Sequence, residues 1–103
     1  MLDFLKKLFG GDSTDYKELV TRGAVIVDVR SAAEYKAGHI PGSRNYPLDN
    51  IRNKVTELKK LNKPVITVCR SGARSGMAKG ILNSAGIEVY NGGPWTSLKS
   101  RIA

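Results

Sequence analysis

The side chains able to do chemistry converge on one seven-residue run, Cys69-Arg70-Ser71-Gly72-Ala73-Arg74-Ser75. It follows the apolar, β-branched segment Val65-Ile66-Thr67-Val68 and leads into a helical pattern through Met77, Ile81 and Leu82. In an open parallel sheet, ligands sit beyond the carboxyl ends of the strands, and Cys69 stands at such an end. A loop that feeds a helix start turns several backbone N–H groups toward one point, aided by the helix dipole. Ser71, Gly72 and Ala73 are small enough to let the backbone curl into a cradle, and Arg70 and Arg74 add positive charge. These effects favour a thiolate over a thiol, so Cys69 is expected to be a nucleophile of lowered pKa. The same cradle of amides and arginines suits a tetrahedral oxyanion such as phosphate, sulfate or thiosulfate. The alternative is an inert core thiol. A strand end followed by Arg-Ser-Gly is the wrong place for one.

The elements that must position this loop read as an alternation of helices and strands. Tyr16 to Val20 forms a short helix, with Asp15 and Glu18 spaced as a capping box and Gly23 as its stop. Ala24 to Val29 is apolar nearly throughout, the mark of a strand covered on both faces. Ser31-Ala32-Ala33-Glu34 is a second capping box, opening a helix that Gly38 closes. Pro41-Gly42 turns the chain, and Arg44-Asn45-Tyr46 is briefly extended. Leu48, Ile51, Val55, Leu58 and Leu61 recur at helical spacing, with room for one break. After the loop, the helix through Leu82 stops at Gly86, Ile87 to Tyr90 is a third strand, and Gly92-Gly93-Pro94-Trp95 turns into a last helix. Strands separated by helices imply right-handed crossovers. The expected fold is therefore α/β, a small parallel sheet with helices on both faces.

Composition narrows the function classes. The chain has 103 residues, 41% hydrophobic and 25% charged, which fits one globular domain and excludes a disordered or repetitive chain. A single cysteine excludes an internal disulfide framework, and with His39 as the sole histidine no Cys/His metal site is expected. Seventeen Lys+Arg against nine Asp+Glu give a formal charge of +8, a field that favours anionic partners. The basic residues are scattered and no aromatic–basic interleaving appears, so nucleic acid is not an expected partner. Leu2, Leu5, Leu8 and Phe9 have helical spacing. This stripe is expected to pack on its own domain rather than lie on a membrane. Without the apolar core of a signal peptide, the cytoplasm and a reduced thiol are the expected setting.

An ordered set of motifs resembles the single-domain rhodanese family. They are Asp28-Val29-Arg30, Glu34-Tyr35, Gly38-His39-Ile40-Pro41-Gly42-Ser43, the Cys69–Ser75 run, and Gly92-Gly93 before Trp95. The resemblance covers the chain from about Asp15 onward and divides it into an extension, 1–11, and a rhodanese domain, 12–103. It implies a thiosulfate-type sulfurtransferase that needs no metal or organic cofactor. Cys69 would take the outer sulfur of a thiosulfate-like donor as a persulfide, cradled by the amides of Arg70, Ser71, Gly72, Ala73 and Arg74. A thiol, cyanide or a partner protein would then accept it. A second reading of the same site is a sulfur-relay module serving protein partners. Cysteine phosphatases, including those sharing this fold, carry C-x5-R; here the arginine falls one position earlier, at Arg74, and Ser75 stands in its place, which argues for sulfur over phosphorus.

Asp28, Arg30 and Glu34 are expected to form a supporting ion-pair network beside the loop. His39 is expected to fix a loop by hydrogen bonding rather than to act as a base. Two questions stay open on sequence alone: whether Trp95 lines the pocket or caps the core, and whether Arg74 faces the substrate or turns back to Glu34.

Overall fold

The computed structural model describes residues 13–103. The N-terminal helix expected over residues 1–9 lies outside them. Four parallel strands form one sheet in the order β2-β1-β3-β4. They are β1 (Val25–Asp28), β2 (Arg44–Asn45), β3 (Val65–Cys69) and β4 (Val89–Pro94). The α-helices are α1 (Tyr16–Thr21), α2 (Ala32–Ala37), α3 (Val55–Leu61), α4 (Ala73–Ser84) and α5 (Trp95–Ile102). A 3₁₀ helix, Leu48–Lys54, runs directly into α3, a break for which that amphipathic stretch leaves room.

Local chemistry explains where the short helices begin. The Asp15 carboxylate accepts the Glu18 N–H at 3.0 Å and caps α1. At α2 both halves of the capping box form, Glu34 N–H to Ser31 Oγ and Ser31 N–H to Glu34 Oε1, each 3.2 Å.

The two central strands, β1 and β3, are buried because helices cover both faces of the sheet. Side chains alternate between the faces at period two. Val27, Val29, Val65 and Cys69 join one core cluster with Ile51, Leu58, Ala78 and Leu82 from the 3₁₀ helix, α3 and α4. Ile26, Ile66 and Val68 join the other, with Tyr16 and Leu19 of α1 and Leu98 of α5.

Two elements depart from the sequence reading. The extended piece at Arg44-Asn45 is a fourth strand, paired in parallel with Val27-Asp28. Strand β4 continues through Pro94 instead of turning at Gly92-Gly93, because β3 offers it backbone partners to its end, Val68 opposite Gly93 and Cys69 opposite Pro94. A register shift between Thr67 and Val68 makes this possible. Gly92 lies under this irregularity. A Cβ there would stand 2.9 Å from Ile66 Cγ2 and 3.0 Å from Val68 Cγ1, so only glycine lets the strands approach this closely.

Candidate active site

Cys69 ends β3, and α4 begins four residues later at Ala73 with Gly72 as its N-cap. Gly72 has φ +101°, a left-handed conformation open to glycine at little cost. That turn aims the Gly72 N–H at the Cys69 Sγ, 2.9 Å away. The first helical bond in α4 is donated by Gly76 N–H to Gly72 O at 3.0 Å. The amides before it have no helical acceptor, and that of Ser75 donates to the Cys69 Sγ at 3.4 Å. Ser75 Oγ lies 3.3 Å from the same sulfur.

Cys69 has no exposed surface and belongs to the core beneath α4. This corrects the expectation that a strand end keeps the thiol out of the core. A ring of polar donors, rather than solvent access, distinguishes it from an inert buried thiol. Burial pushes its pKa up, and the Ser75 hydroxyl with the N–H groups of Ser75, Gly72 and Ser71 outweighs that, leaving the thiol below its ordinary range.

The two arginines of the loop divide. Arg74 turns back to Glu34 in a two-pronged pair, Nη1 to Oε1 at 2.7 Å and Nη2 to Oε2 at 3.0 Å. That pairing, with the Ser31 N–H, holds the Glu34 carboxyl down at about 2. Arg70 is exposed and makes no hydrogen bond or ion pair with any described residue, so its charge is free for an anion at the loop.

Behind the loop, Asp28 and Arg30 are both buried and form a closely knit pair. Arg30 Nε donates to both carboxylate oxygens at 2.9 and 3.0 Å, and Nη2 donates to Oδ2 at 2.7 Å. The same guanidinium donates to Gly38 O at 2.6 Å and to Glu34 O at 3.3 Å, fastening α2 to the end of β1. Trp95 covers it, with the ring centroid 4.8 Å from Arg30 Cζ. Trp95 also packs against the second core, so it bridges core and ion pair. His39 Nδ1–H donates to Tyr35 O at 2.8 Å, and its ring stacks on Tyr35 at 3.7 Å. No hydrogen bond joins it to the 69–75 loop among the described residues.

Two residues carry more of the site than their sequence positions advertised. One is Ser75, which stands where a C-x5-R loop has its arginine and contacts the sulfur through both N–H and hydroxyl. The other is Asn91, on β4. Its Oδ1 accepts from Ser75 Oγ at 2.6 Å and from Gly93 N–H at 2.9 Å, while Nδ2 donates to Gly72 O at 3.1 Å. Gly76 makes room, since a Cβ there would stand 3.2 Å from Asn91 Nδ2. Nothing local marks Asn91; the only signal is its place beside the Gly92-Gly93 pair. Met77 corrects the helical pattern: it is 63% exposed, because Ser75, Ala78 and Leu82 form the face of α4 that meets the sheet.

Two clefts open on the surface, the second of them touching the site at Asn91 and Gly93. One of about 320 Å³ opens near Pro64 and Ile87, at the far end of the strands from Cys69, and one of about 660 Å³ runs along β4 past Lys79 and Arg101. The candidate site is instead a tight loop, with backbone amides turned toward the Cys69 sulfur rather than an enclosed cavity. Among the described residues no cluster of His, Cys, Asp and Glu is arranged to hold a metal, and no helix is long and apolar enough to cross a membrane.

The chain has relatives among known proteins. YqhL of Bacillus subtilis, an uncharacterized protein, is 39% identical over 71 residues, 68% of this chain and 56% of its own. The thiosulfate sulfurtransferase GlpE of Pseudoalteromonas translucida is 41% identical over 68 residues, 65% of this chain and 64% of its own. The chain thus spans between about half and two thirds of these relatives. A solved structure described as a rhodanese with anions from E. coli superposes with a TM-score of 0.67 at 31% identity, covering 73% of this chain and 91% of that one. Residues 12–94 match the Rhodanese-like domain, a span holding β1 through β4, the Cys69 cradle and the Asp28–Arg30 pair, and the chain belongs to that family.

Proposed function

We propose that residues 12–103 act as a sulfurtransferase that carries a sulfane sulfur on Cys69. The observation that supports this most is the ring of donors around one buried sulfur: Gly72 N–H, Ser75 N–H and the Ser75 hydroxyl. In the loading step the Cys69 thiolate attacks the outer sulfur of thiosulfate. A new S–S bond forms, the sulfur–sulfur bond of the donor breaks, and its electron pair leaves with sulfite. Cys69 then holds a persulfide anion, for which the helix-start amides provide ready hydrogen bonds. In the discharge step an acceptor, cyanide or a thiolate, forms a bond to the outer sulfur and the electron pair of the Cys69 S–S bond returns to Sγ. Sulfur moves as a neutral atom, so the cycle calls for no outside oxidant, metal or organic cofactor.

Arg70 supplies attraction for the anionic donor, and Arg74 acts through Glu34 by fixing the loop's first helical turn. Asp28, Arg30 and His39 support the loop's surroundings from behind. The C-x4-R spacing keeps the loop one residue shorter than a phosphatase's and favours sulfur over a phosphate group. A protein acceptor fits the same chemistry, since the persulfide is transferred to any thiolate that reaches it, and the +8 charge favours an acidic one. The reduced thiol this chemistry requires is consistent with a cytoplasmic setting.

The test is intact mass after incubation with thiosulfate, for the wild type and Cys69→Ser. The expected result is a gain of one sulfur atom in the wild type alone. A folded wild type with reduced Cys69 and no gain from thiosulfate or polysulfide would refute the reading, and hydrolysis of an aryl phosphate would replace it.

A further inference from the structure

The Ser75 hydroxyl has one proton and two acceptors within reach, the Cys69 Sγ at 3.3 Å and Asn91 Oδ1 at 2.6 Å. Everything around it is fixed. Ser75 has no exposed surface, and its carbonyl accepts the Thr67 hydroxyl at 2.9 Å. The Asn91 amide cannot turn over. Its Oδ1 receives the Gly93 N–H and its Nδ2 donates to Gly72 O, so a flip would set N–H against N–H and oxygen against oxygen. Ser75 therefore chooses between a charged sulfur and a neutral amide oxygen. An anionic acceptor takes the proton by preference. When the hydroxyl leaves Asn91, Oδ1 keeps the Gly93 N–H and is not orphaned, so the switch leaves no unpaired buried group.

We propose that Ser75 is a catalytic residue of the discharge step, a hydroxyl that turns from Asn91 to the Cys69 Sγ as that sulfur becomes the leaving group, with Asn91 as the resting acceptor that keeps it presented. The proposal rests on the sulfur-transfer reading above. In the loaded enzyme the negative charge lies on the outer sulfur, and Sγ, bonded to carbon and sulfur, is a weak acceptor; the hydroxyl then rests on Asn91. As the acceptor bonds to the outer sulfur and the S–S electron pair returns to Sγ, charge appears 3.3 Å from Ser75 Oγ and the O–H swings to meet it. The proton stays on Ser75 throughout. A donor that stabilises the leaving thiolate also damps the attacking one, so its loss slows discharge without slowing loading.

The experiment uses the full chain and its Ser75→Ala variant. Alanine leaves Asn91 Oδ1 with its Gly93 partner, so the variant creates no unpaired buried group. The first readout is the rate of iodoacetamide alkylation against pH, which needs no sulfur donor. Its midpoint is expected to rise by about one pH unit, the equivalent of a tenfold loss in thiolate stabilisation. The second is single-turnover discharge of the loaded persulfide to cyanide at a pH above both midpoints, expected to slow about tenfold, while loading from thiosulfate at that pH is unchanged or faster. An unmoved midpoint with unchanged discharge overturns the proposal, and so does an equal slowing of both half-reactions, which marks a packing role only. A wild type that takes up no sulfur refutes the transfer reading and the discharge step with it. The alkylation midpoint then still decides whether Ser75 serves the thiolate.

Discussion

Replacing Asp28 with alanine tests the frame behind the loop. Asp28 is fully buried and Arg30 is 4% exposed, so the guanidinium would be left in a low-dielectric site without its counter-charge. The carboxylate accepts Nε at 2.9 and 3.0 Å, Nη2 at 2.7 Å and the Arg30 backbone N–H at 3.0 Å, and all of these are lost together. Breaking one side of a buried ion pair costs about 3–5 kcal/mol. Domains of this size hold about 5–15 kcal/mol in total, so the loss takes a large share of the margin. For a urea slope of about 1–1.5 kcal/mol/M, the unfolding midpoint falls by about 2–5 M. The assay is urea unfolding of the wild type, Asp28→Ala, Arg30→Leu and the double variant. Because the penalty lies in the orphaned charge, the single losses should not add, and a coupling of about 2 kcal/mol is expected. No hydrogen bond links either residue to Cys69, so folded Asp28→Ala should still load sulfur. A loss below about 1 kcal/mol, or additive single losses, would refute the reasoning.

Two further substitutions separate the loop's backbone from its charge. Gly72→Ala meets no steric block, since the new Cβ would lie 3.5 Å from Gly93 Cα; its cost is the +101° φ, about 1–3 kcal/mol, together with a raised Cys69 alkylation midpoint as the Gly72 N–H tilts off the sulfur. Calorimetric stability within about 0.5 kcal/mol of the wild type would contradict that strain. Arg70→Ala should raise the KM for thiosulfate several-fold with little change in kcat, and about 0.5 M salt should close most of the gap by screening the wild-type charge. An unchanged KM at low salt would remove Arg70 from donor recognition.

The features legible in the sequence are those set by neighbours along the chain. Ser31 and Glu34 are three residues apart, so their capping box follows from helical geometry alone and forms as read. The β-branched runs at Val25–Asp28 and Val65–Cys69 become the buried central strands because they are short, β-branched and apolar on both faces. The small residues after Cys69 announce a cradle, and Gly72 N–H indeed reaches the sulfur. Boundaries are less legible. β4 runs on through Gly92-Gly93-Pro94 because β3 supplies partners for it, and no local preference encodes a neighbour's hydrogen bonds.

The sequence by itself determined the α/β order, the single thiol at a strand end and the charge beside it, because each depends on residue type and short spacing. Only the tertiary structure decided what those groups touch. Glu34 and Arg74 meet because β1 and β3 pair side by side, bringing the helices that follow them together, and that contact turns Arg74 away from the role open to it on sequence. Asn91 reaches Ser75 only because a strand irregularity and Gly76 let β4 and α4 close on each other. Cys69 lies buried beneath α4 yet ringed by donors, a combination that neither its neighbours nor its residue type encodes. Such contacts follow from distances set by packing, and packing is a property of the folded chain rather than of any segment within it.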